Sequence, residues 1–217
     1  MPAEQKPTER NIFLSGLINQ SPYFELISYI FFIHLHQKKS LMRVITGKYK
    51  GRRFDIPKTF KARPTTDFAK ENIFNVLMGY IDFDGAEALD LFSGTGSISL
   101  ELLSRGCKEV VSVEKDRDHA RFISQCMQKI GATNDILIKG DVFKFLKSCH
   151  RQFDFIFADP PYALPELPTI PSLIFEYDLL KPDGIFVFEH GKHNSFEDNP
   201  HFHEHREYGS VNFSIFK

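Results

Sequence analysis

Apolar segments of two kinds alternate along the chain from about residue 66 onwards. Short runs rich in Val, Ile, Leu and Phe, bounded by Gly, Pro or charged residues, are typical of buried strands. Such runs predict strands at 86–92, 109–114, 136–139, 153–158 and 185–189. Between them, apolar residues recur at helical spacing. This spacing predicts helices at 66–79, 98–105, 116–130, 142–148 and near 172–180.

Two further segments near the C-terminus, 201–207 and 211–216, alternate between apolar and polar residues as the strands of a closing hairpin do. Strands that alternate with helices predict an α/β fold, namely a doubly wound, mostly parallel sheet of seven strands covered on both faces. Ligands bind at the carboxyl ends of the strands in such sheets. Polar residues at those ends are therefore the first candidates for a site.

The segment Asp159-Pro160-Pro161-Tyr162 follows the predicted strand 153–158 directly. The two prolines fix their own φ and favour extended geometry in the residue before each, so the segment is rigid without a helix or strand to support it. The Asp159 carboxylate and the Pro160 carbonyl can then accept hydrogen bonds from one NH2 group, while the Tyr162 ring stacks on the planar group that carries it. A proline-stiffened turn is the alternative.

A glycine loop at 93–97 follows the predicted strand 86–92 and precedes a helix. Glycines let a backbone approach a ligand closely, and the helix N-terminus offers free N–H groups. Glu114 ends the next strand, eighteen positions after the second glycine, where an acid can bind the hydroxyls of a ribose. A nicotinamide-binding protein would share these features. However, Ser99 replaces its third glycine, and Asp90 would repel a pyrophosphate and suit a cationic amino-acid ligand.

Together, these features resemble the S-adenosylmethionine-dependent amino-methyltransferases, in the order glycine loop, ribose acid, Gly140-Asp141-Val142 and Asp-Pro-Pro-Tyr. Two further stretches, Met42–Arg53 and Arg63–Leu77, narrow the resemblance to the bacterial 16S ribosomal RNA guanine-N2 methyltransferase family. The resemblance runs from Met42 to the C-terminus. It implies a class I methyltransferase (Rossmann-like) fold and methyl transfer from S-adenosylmethionine to the exocyclic N2 of a guanine in small-subunit rRNA.

We assign expected roles on this basis. The methionine part of the cofactor would lie on the glycine loop, with its carboxylate near two residues of the N-terminal stretch, its ribose at an acid and its adenine at an Asp-Val pair. The cofactor-binding candidates are Arg63, Thr65, Asp90, Phe92, Gly94, Gly96, Glu114, Asp141 and Val142. The catalytic candidates are Asp159, Pro160 and Tyr162, which would hold a flipped guanine amine in line with the methyl group. A helix cap is the alternative for Asp141.

The net charge of −1 is unevenly distributed. Residues 42–63 hold eight Lys or Arg against one acid, whereas the chain that follows is acidic. A basic segment on an acidic body is typical of a phosphate-binding arm, and a solvated charged hairpin is the alternative. We therefore expect a basic arm at 42–65, shaped as a β-hairpin, and a methyltransferase domain at 66–217. The RNA-binding candidates are Arg43, Lys48, Lys50, Arg52, Arg53, Lys58 and Lys61.

Residues 1–41 precede the family-like sequence. The segment 23–35 is strongly apolar, but it contains Glu25 and is shorter than the roughly 20 residues that span a bilayer. Lys38 and Lys39 follow it, where a signal peptide would have a small-residue cleavage site. We expect Met42 to be the true start and residues 1–41 to be a poorly ordered or mis-assigned leader. A helical extension that packs on the domain is the alternative.

Composition adds a few further expectations. A chain of 217 residues with 23 Phe can form one domain with a full core. Three cysteines in neither a disulfide nor a metal pattern favour a reducing cytoplasm. We expect a monomer that binds no membrane. By analogy with the family, we also expect it to act on 16S rRNA within a small subunit that already contains protein.

Alternatives remain open. His201, His203 and His205 would share one face of a strand and could hold a metal, but we prefer an exposed polar face and predict no metal. A DNA or RNA adenine-N6 methyltransferase or a protein glutamine-N5 methyltransferase uses a similar proline-aromatic loop. The short chain argues against a DNA target, and the basic arm favours a nucleic acid over a protein. A non-enzymatic RNA-binding module is disfavoured because every expected site residue is present.

Overall fold

A seven-stranded sheet runs through the fold, and a separate two-stranded hairpin precedes it. The structure is a computed structural model that describes residues 40–60 and 66–217. Its strands are β1 (Leu41–Arg43), β2 (Arg53–Asp55), β3 (Glu87–Leu91), β4 (Glu109–Glu114), β5 (Asp135–Lys139), β6 (Phe153–Ala158), β7 (Leu180–His190), β8 (Phe202–Tyr208) and β9 (Val211–Phe216). Residues 1–39, which make up most of the predicted leader, and residues 61–65 lie outside the described residues.

The strand order of the large sheet is β5-β4-β3-β6-β7-β9-β8. The five strands from β5 to β7 are parallel, and β9 is antiparallel to both of its neighbours. The chain runs outward from β3 through β4 to β5 and then crosses to β6 on the other side of β3. This reversal makes the carboxyl ends of β3 and β6 the switch point of the sheet, where ligands bind in folds of this kind. The predicted doubly wound, mostly parallel seven-stranded sheet is confirmed.

Five α-helices among the described residues cover the two faces of the sheet. They are α1 (Asp67–Leu77), α2 (Ser97–Ser104), α3 (Arg117–Ile130), α4 (Val142–Ser148) and α5 (Ile170–Glu176), and a short 3-10 helix (Leu167–Thr169) precedes α5. Buried residues of α1, α2 and α3 form one apolar core with the sheet, and those of α4 and α5 form a second core on the opposite face. Burial on both faces explains why the strands are almost continuously apolar.

Helix caps place most helix boundaries close to the predicted ones. The Thr66 side chain accepts a hydrogen bond from the Ala69 N–H, and Asp116 caps α3 through the N–H groups of its first turn. At the other end of α3, Gly131 has φ +67°, the left-handed conformation that ends helices. The prediction that Gly79 ends α1 is slightly wrong, because the helix ends at Leu77 with Met78 as its C-cap.

The structure corrects the predictions between 172 and 190. The helix α5 spans 170–176 rather than 172–180, and strand pairing with β6 begins at Leu180. The predicted turn at 181–184 is a bulge within β7, because Phe153 pairs with Leu180 and Phe155 pairs with Ile185. Asp183 adopts φ +64° inside this bulge. Pairing on both sides of the extra residues keeps them within one strand.

The three histidines near β8 are exposed, as predicted, but they have different neighbours and do not share one face. A register shift between Phe202 and Glu204 breaks the alternation of β8. The His201 ring stacks on Phe175, the His203 ring packs edge-on against Tyr80, and His205 Nε2 lies 3.1 Å from Asn212 Oδ1. Within residues 40–60 and 66–217, no group of three or more His, Cys, Asp or Glu side chains is arranged to hold a metal ion.

The described part of the basic arm docks on α2 and α1. The hairpin pairs Met42 with Phe54, and both side chains are buried in the core that contains α1. Glu101, fully buried in α2, accepts hydrogen bonds from the Ile45 and Thr46 N–H groups at 2.7 and 3.0 Å. Lys70 of α1 is also fully buried, and its Nζ donates to the Arg43 carbonyl at 2.7 Å. These charge-assisted hydrogen bonds hold the arm against the domain.

In the described part of the chain, no helix has the length and apolar character needed to cross a bilayer.

Candidate active site

A cavity of about 1100 Å³ lies at the carboxyl ends of the parallel strands, at the switch point between β3 and β6. Nine of the predicted site residues line it: Asp90, Phe92, Gly94, Glu114, Asp141, Val142, Asp159, Pro160 and Tyr162. Gly96 is instead the N-cap of α2 with φ +74°, and a Cβ there would lie 3.0 Å from Ile123. Arg63 and Thr65 lie outside the described residues. The volume suits a nucleoside-sized ligand with a further group beside it.

The glycine loop is shaped by left-handed backbone and held by an acid. Phe92 and Gly94 have φ of +60° and +54°, so the chain reverses sharply at the end of β3. The Gly94 N–H donates to Glu114 Oε2 at 2.7 Å, and the Asp116 N–H donates to Oε1 of the same carboxylate at 2.7 Å. Glu114, at the end of β4, therefore braces the glycine loop between β3 and α2 while it lines the cavity.

Asp90 is buried at the floor of the cavity and belongs to a polar network. The Ser99 N–H donates to Asp90 Oδ2 at 3.0 Å, and the Ser99 hydroxyl donates to the same oxygen. The Ser112 hydroxyl connects Ser99 to Asp135 at 2.8 and 2.6 Å. Burial raises the pKa of Asp90 to about 7, although the two bonds from Ser99 oppose the rise. Ser99, first noticed as a missing glycine, is thus a donor to a site carboxylate.

Asp141 is the N-cap of α4, which was the alternative considered from the sequence. Its Oδ1 accepts hydrogen bonds from the Phe143 and Lys144 N–H groups, and its Oδ2 lies 3.2 Å from Lys115 Nζ. These hydrogen bonds and the lysine charge hold the pKa of Asp141 below its usual value, despite an opposing contribution from desolvation. The cap does not remove Asp141 from the cavity wall, which it shares with Val142.

The Asp-Pro-Pro-Tyr segment forms the opposite wall. The Asp159 N–H pairs with the Leu91 carbonyl at 3.4 Å, which ties the segment to the end of β3. The Tyr162 hydroxyl donates to Glu189 Oε1 at 2.9 Å. Desolvation, followed by the charges of Glu189 and Asp159, raises the pKa of Tyr162 above its usual value, so the hydroxyl stays a donor. The Tyr162 ring is about half exposed, at 48%, and faces the cavity.

Six of the seven predicted RNA-binding residues lie in the described part of the arm, and Lys61 does not. Arg43 is half-buried, and its guanidinium pairs with Asp67 at 3.0 Å. The five exposed residues are Lys48, Lys50, Arg52, Arg53 and Lys58. Lys48 Nζ lies 5.2 Å from the centre of the Tyr49 ring.

Sequence reasoning missed three buried charged residues near the cavity. Lys70 Nζ donates to Ser97 Oγ at 2.9 Å at the start of α2, and burial lowers the pKa of this lysine. Glu101 holds the arm, and Glu189 lines the cavity. Charged residues at inward positions of apolar helical stripes were the available signal for Lys70 and Glu101. An acid at the end of a predicted strand was the signal for Glu189.

The fold and the site define a class I methyltransferase. A family model described as "Conserved hypothetical protein 95" matches residues 42–217, so the chain belongs to that family. The predictions of the family and of a methyltransferase are confirmed.

Relatives and solved structures agree with this assignment. The chain is 34% identical over 155 residues to the Ribosomal RNA small subunit methyltransferase D of Haemophilus influenzae, covering 70% of this chain and 79% of that one. It is 26% identical over 185 residues to the Escherichia coli protein of the same name, covering 84% and 92%.

Among solved structures, Thermus thermophilus hypothetical protein TTHA0928 matches with a TM-score of 0.71 at 26% identity, covering 81% of this chain and 98% of that one. The T. thermophilus 16S rRNA N2 G1207 methyltransferase (RsmC), solved with AdoMet and guanosine, shares the fold with a TM-score of 0.63. Its identity is 18%, with coverage of 83% and 50%.

Proposed function

We propose that the protein transfers a methyl group from S-adenosylmethionine to the exocyclic N2 of a guanine in small-subunit ribosomal RNA. One observation carries the proposal: a single cavity has the glycine loop, Glu114 and Asp141 on one side and Asp159, Pro160 and Tyr162 on the other. The first side suits a nucleoside bound to an amino acid, and the second suits a planar base with an amine. The relatives named as small-subunit rRNA methyltransferases support the RNA target.

The donor and acceptor groups of the first side fit S-adenosylmethionine. Asp90, buried at the cavity floor, would attract the α-ammonium group when ionised. Glu114 would accept bonds from the ribose hydroxyls, and Asp141 with the Val142 N–H would meet the adenine edge. We propose that Arg63 and Thr65 reach the methionine carboxylate. S-adenosylmethionine supplies an electrophilic methyl group on a positively charged sulfur.

On the second side, we propose that three residues hold the base. Asp159 and the Pro160 carbonyl would accept hydrogen bonds from the guanine N2 hydrogens, and the Tyr162 ring would stack on the base. Because both groups are hydrogen-bond acceptors, they bind the hydrogens of the amine, and the nitrogen lone pair stays directed at the methyl group. The guanine N2 gains that group and loses one proton to solvent. Positioning supplies most of the catalysis, and the Asp159 charge stabilises the positive charge that develops on nitrogen.

The basic arm extends the proposal to RNA. Its exposed Lys and Arg side chains would contact phosphates, while the target base is unstacked and turned into the cavity. We place the activity in the cytoplasm, with a monomer acting on 16S rRNA in a subunit that already contains protein. Lys48→Glu should weaken RNA binding at low salt and flatten its salt dependence, whereas the matched change Lys129→Glu on α3 should not. If RNA binding by both variants shows the same salt dependence, the arm does not contact the RNA.

The substrate assignment is tested with ribosomes from a strain that lacks the gene. Small subunits and free 16S rRNA from this strain, and double-stranded DNA, are each incubated with the full chain and labelled S-adenosylmethionine. We expect one N2-methylguanosine in the rRNA, located by mass mapping and primer extension. Label in adenine, in a protein or in DNA, or no labelled guanine, would refute the assignment.

The same assay tests the base-holding residues. Asp159→Asn and Tyr162→Ala should each lower kcat by about 100-fold or more, because each removes a contact made by the reacting base. The change Asp198→Asn on an exposed loop serves as the matched control. If Asp159→Asn methylates its target as fast as the parent does, the Asp159 carboxylate has no role in the mechanism.

A further inference from the structure

We propose that Glu189 selects guanine over adenine by accepting hydrogen bonds from the Watson–Crick edge of the flipped base. The proposal rests on the function proposed above and adds the residue that determines which base is accepted. Asp159 and Glu189 would act together as two acceptors at the base end of the cavity.

Strand pairing places the two acids side by side. Ala158 of β6 pairs with Phe188 of β7, so Asp159 and Glu189 are the next residues on neighbouring parallel strands. Side chains alternate along a strand, so Glu189 points to the same face of the sheet as Val187. Glu189 is 4% exposed, yet it lines the same cavity as Asp159 and Tyr162.

Tyr162 fixes the orientation of the Glu189 carboxylate. The tyrosine hydroxyl donates to Oε1 at 2.9 Å, and the tyrosine ring packs against Gly191, where a Cβ would lie 3.4 Å from the ring. A carboxylate can accept hydrogen bonds from more than one donor, and the bond from Tyr162 sets the plane in which its two oxygens lie. The same tyrosine that would stack on the base therefore also aims the second acceptor.

The chemistry of the base edges explains why a second acceptor favours guanine. Guanine presents two adjacent donors, N1–H and N2–H, which match carboxylate oxygens. Adenine presents a donor at N6 but an acceptor at N1, which would face the Glu189 carboxylate and be repelled. A site that leaves buried polar groups without a match rejects the wrong ligand strongly. The pair of acids thus separates a guanine-N2 enzyme from an adenine-N6 enzyme that shares the Asp-Pro-Pro-Tyr loop.

The test compares two nucleosides that both carry the 2-amino group but differ at N1 and at C6, where only guanosine has a carbonyl oxygen. Guanosine carries N1–H, whereas 2-aminopurine riboside keeps the 2-amino group but has an acceptor at N1. Each is titrated calorimetrically into the full chain with S-adenosylhomocysteine present, using the parent, Glu189→Gln and the matched control Glu197→Gln, which is exposed. The glutamine amide can donate to N1 of 2-aminopurine and still accept from Tyr162. We expect the preference for guanosine to fall at least about tenfold in Glu189→Gln and to stay unchanged in Glu197→Gln.

The outcomes separate the proposals. An unchanged preference in Glu189→Gln overturns the selection role, because Glu189 then only positions Tyr162. A parent chain without a preference for guanosine, including one that binds neither nucleoside, also overturns it. The proposed function fails independently, if S-adenosylhomocysteine does not bind the parent or if no guanine-N2 mark is restored in rRNA. Equal S-adenosylhomocysteine affinity in all three chains shows that the cofactor side is intact.

Discussion

Replacing Asp90 by Asn should make the chain without ligand more stable at neutral pH, although Asp90 lines the candidate active site. Burial raises the pKa of Asp90 from 3.8 to about 7, so the folded protein binds this proton more tightly than the unfolded chain does. The contribution of Asp90 to stability is therefore largest below about pH 4 and is lost as pH rises through about 7. Asn at this position cannot ionise, so the variant lacks this loss.

The size of the effect follows from the same pKa. Between pH 5 and pH 8, the free energy of unfolding of Asp90→Asn should rise by about 2.5 kcal/mol relative to that of the parent. Asn can accept both hydrogen bonds from Ser99. Because hydrogen bonds to a neutral acceptor are weaker, the replacement lowers the free energy of unfolding by about 1 kcal/mol. At pH 8 the full cost of ionising Asp90 in the folded protein is about 4 kcal/mol, so the net gain of the variant is about 3 kcal/mol. Other titrating groups cancel in the comparison of variant and parent.

Urea unfolding of the chain without ligand at pH 5, 6, 7 and 8 measures this difference, with Asp198→Asn on an exposed loop as the control. Calorimetry adds the functional side: the parent should bind S-adenosylmethionine up to about tenfold more tightly at pH 8 than at pH 6, because Asp90 becomes ionised. The variant should bind weakly at both values. A stability difference that does not change with pH, or a variant less stable than the parent at pH 8, would refute the reasoning.

Two further predictions concern the docking of the arm on α2, each measured by chemical denaturation. Glu101→Gln should destabilise the protein by about 2 to 4 kcal/mol, because an amide cannot accept from both arm N–H groups and Arg105. The exposed control Glu71→Gln should change stability by less than about 0.5 kcal/mol, and equal effects would contradict the buried role. Gly47→Ala should cost several kcal/mol, since its Cβ would lie 1.7 Å from the Ser104 carbonyl oxygen. Gly51→Ala has φ +80° but no atom within 4 Å, so about 1 kcal/mol of backbone strain is expected, and a similar loss at both glycines would argue against the close contact.

Local pattern determined much of the fold. The strands at 109–114 and 153–158 were predicted to the residue, because each apolar run is bounded by polar residues on both sides. The bulge of β7 was predicted as a turn, since Lys-Pro-Asp-Gly has turn composition and only pairing with β6 keeps it inside a strand. The register shift of β8 likewise depends on its neighbour, and it separated the three histidines.

The site could be predicted where it depends on strand ends. Asp90, Glu114, Asp141 and Asp159 were found because acids at the carboxyl ends of parallel strands converge. The contacts among buried polar groups could not be found in this way. The donation from Ser99 to Asp90 links a helix to a strand and follows from tertiary packing alone.

The contacts of Lys70 and Glu101 have a practical consequence for dissecting the enzyme. Lys70 joins the Arg43 carbonyl to Ser97, the first residue of α2, so a buried charge connects the arm to the end of the glycine loop. A truncated chain that begins after residue 55 would leave both side chains without their arm partners, inside an apolar core. Loss of the proposed methyl transfer in such a fragment would therefore reflect damage to the cavity as much as loss of the proposed RNA contacts. Charge reversals on the outer side of the hairpin are therefore the cleaner way to measure what the arm contributes.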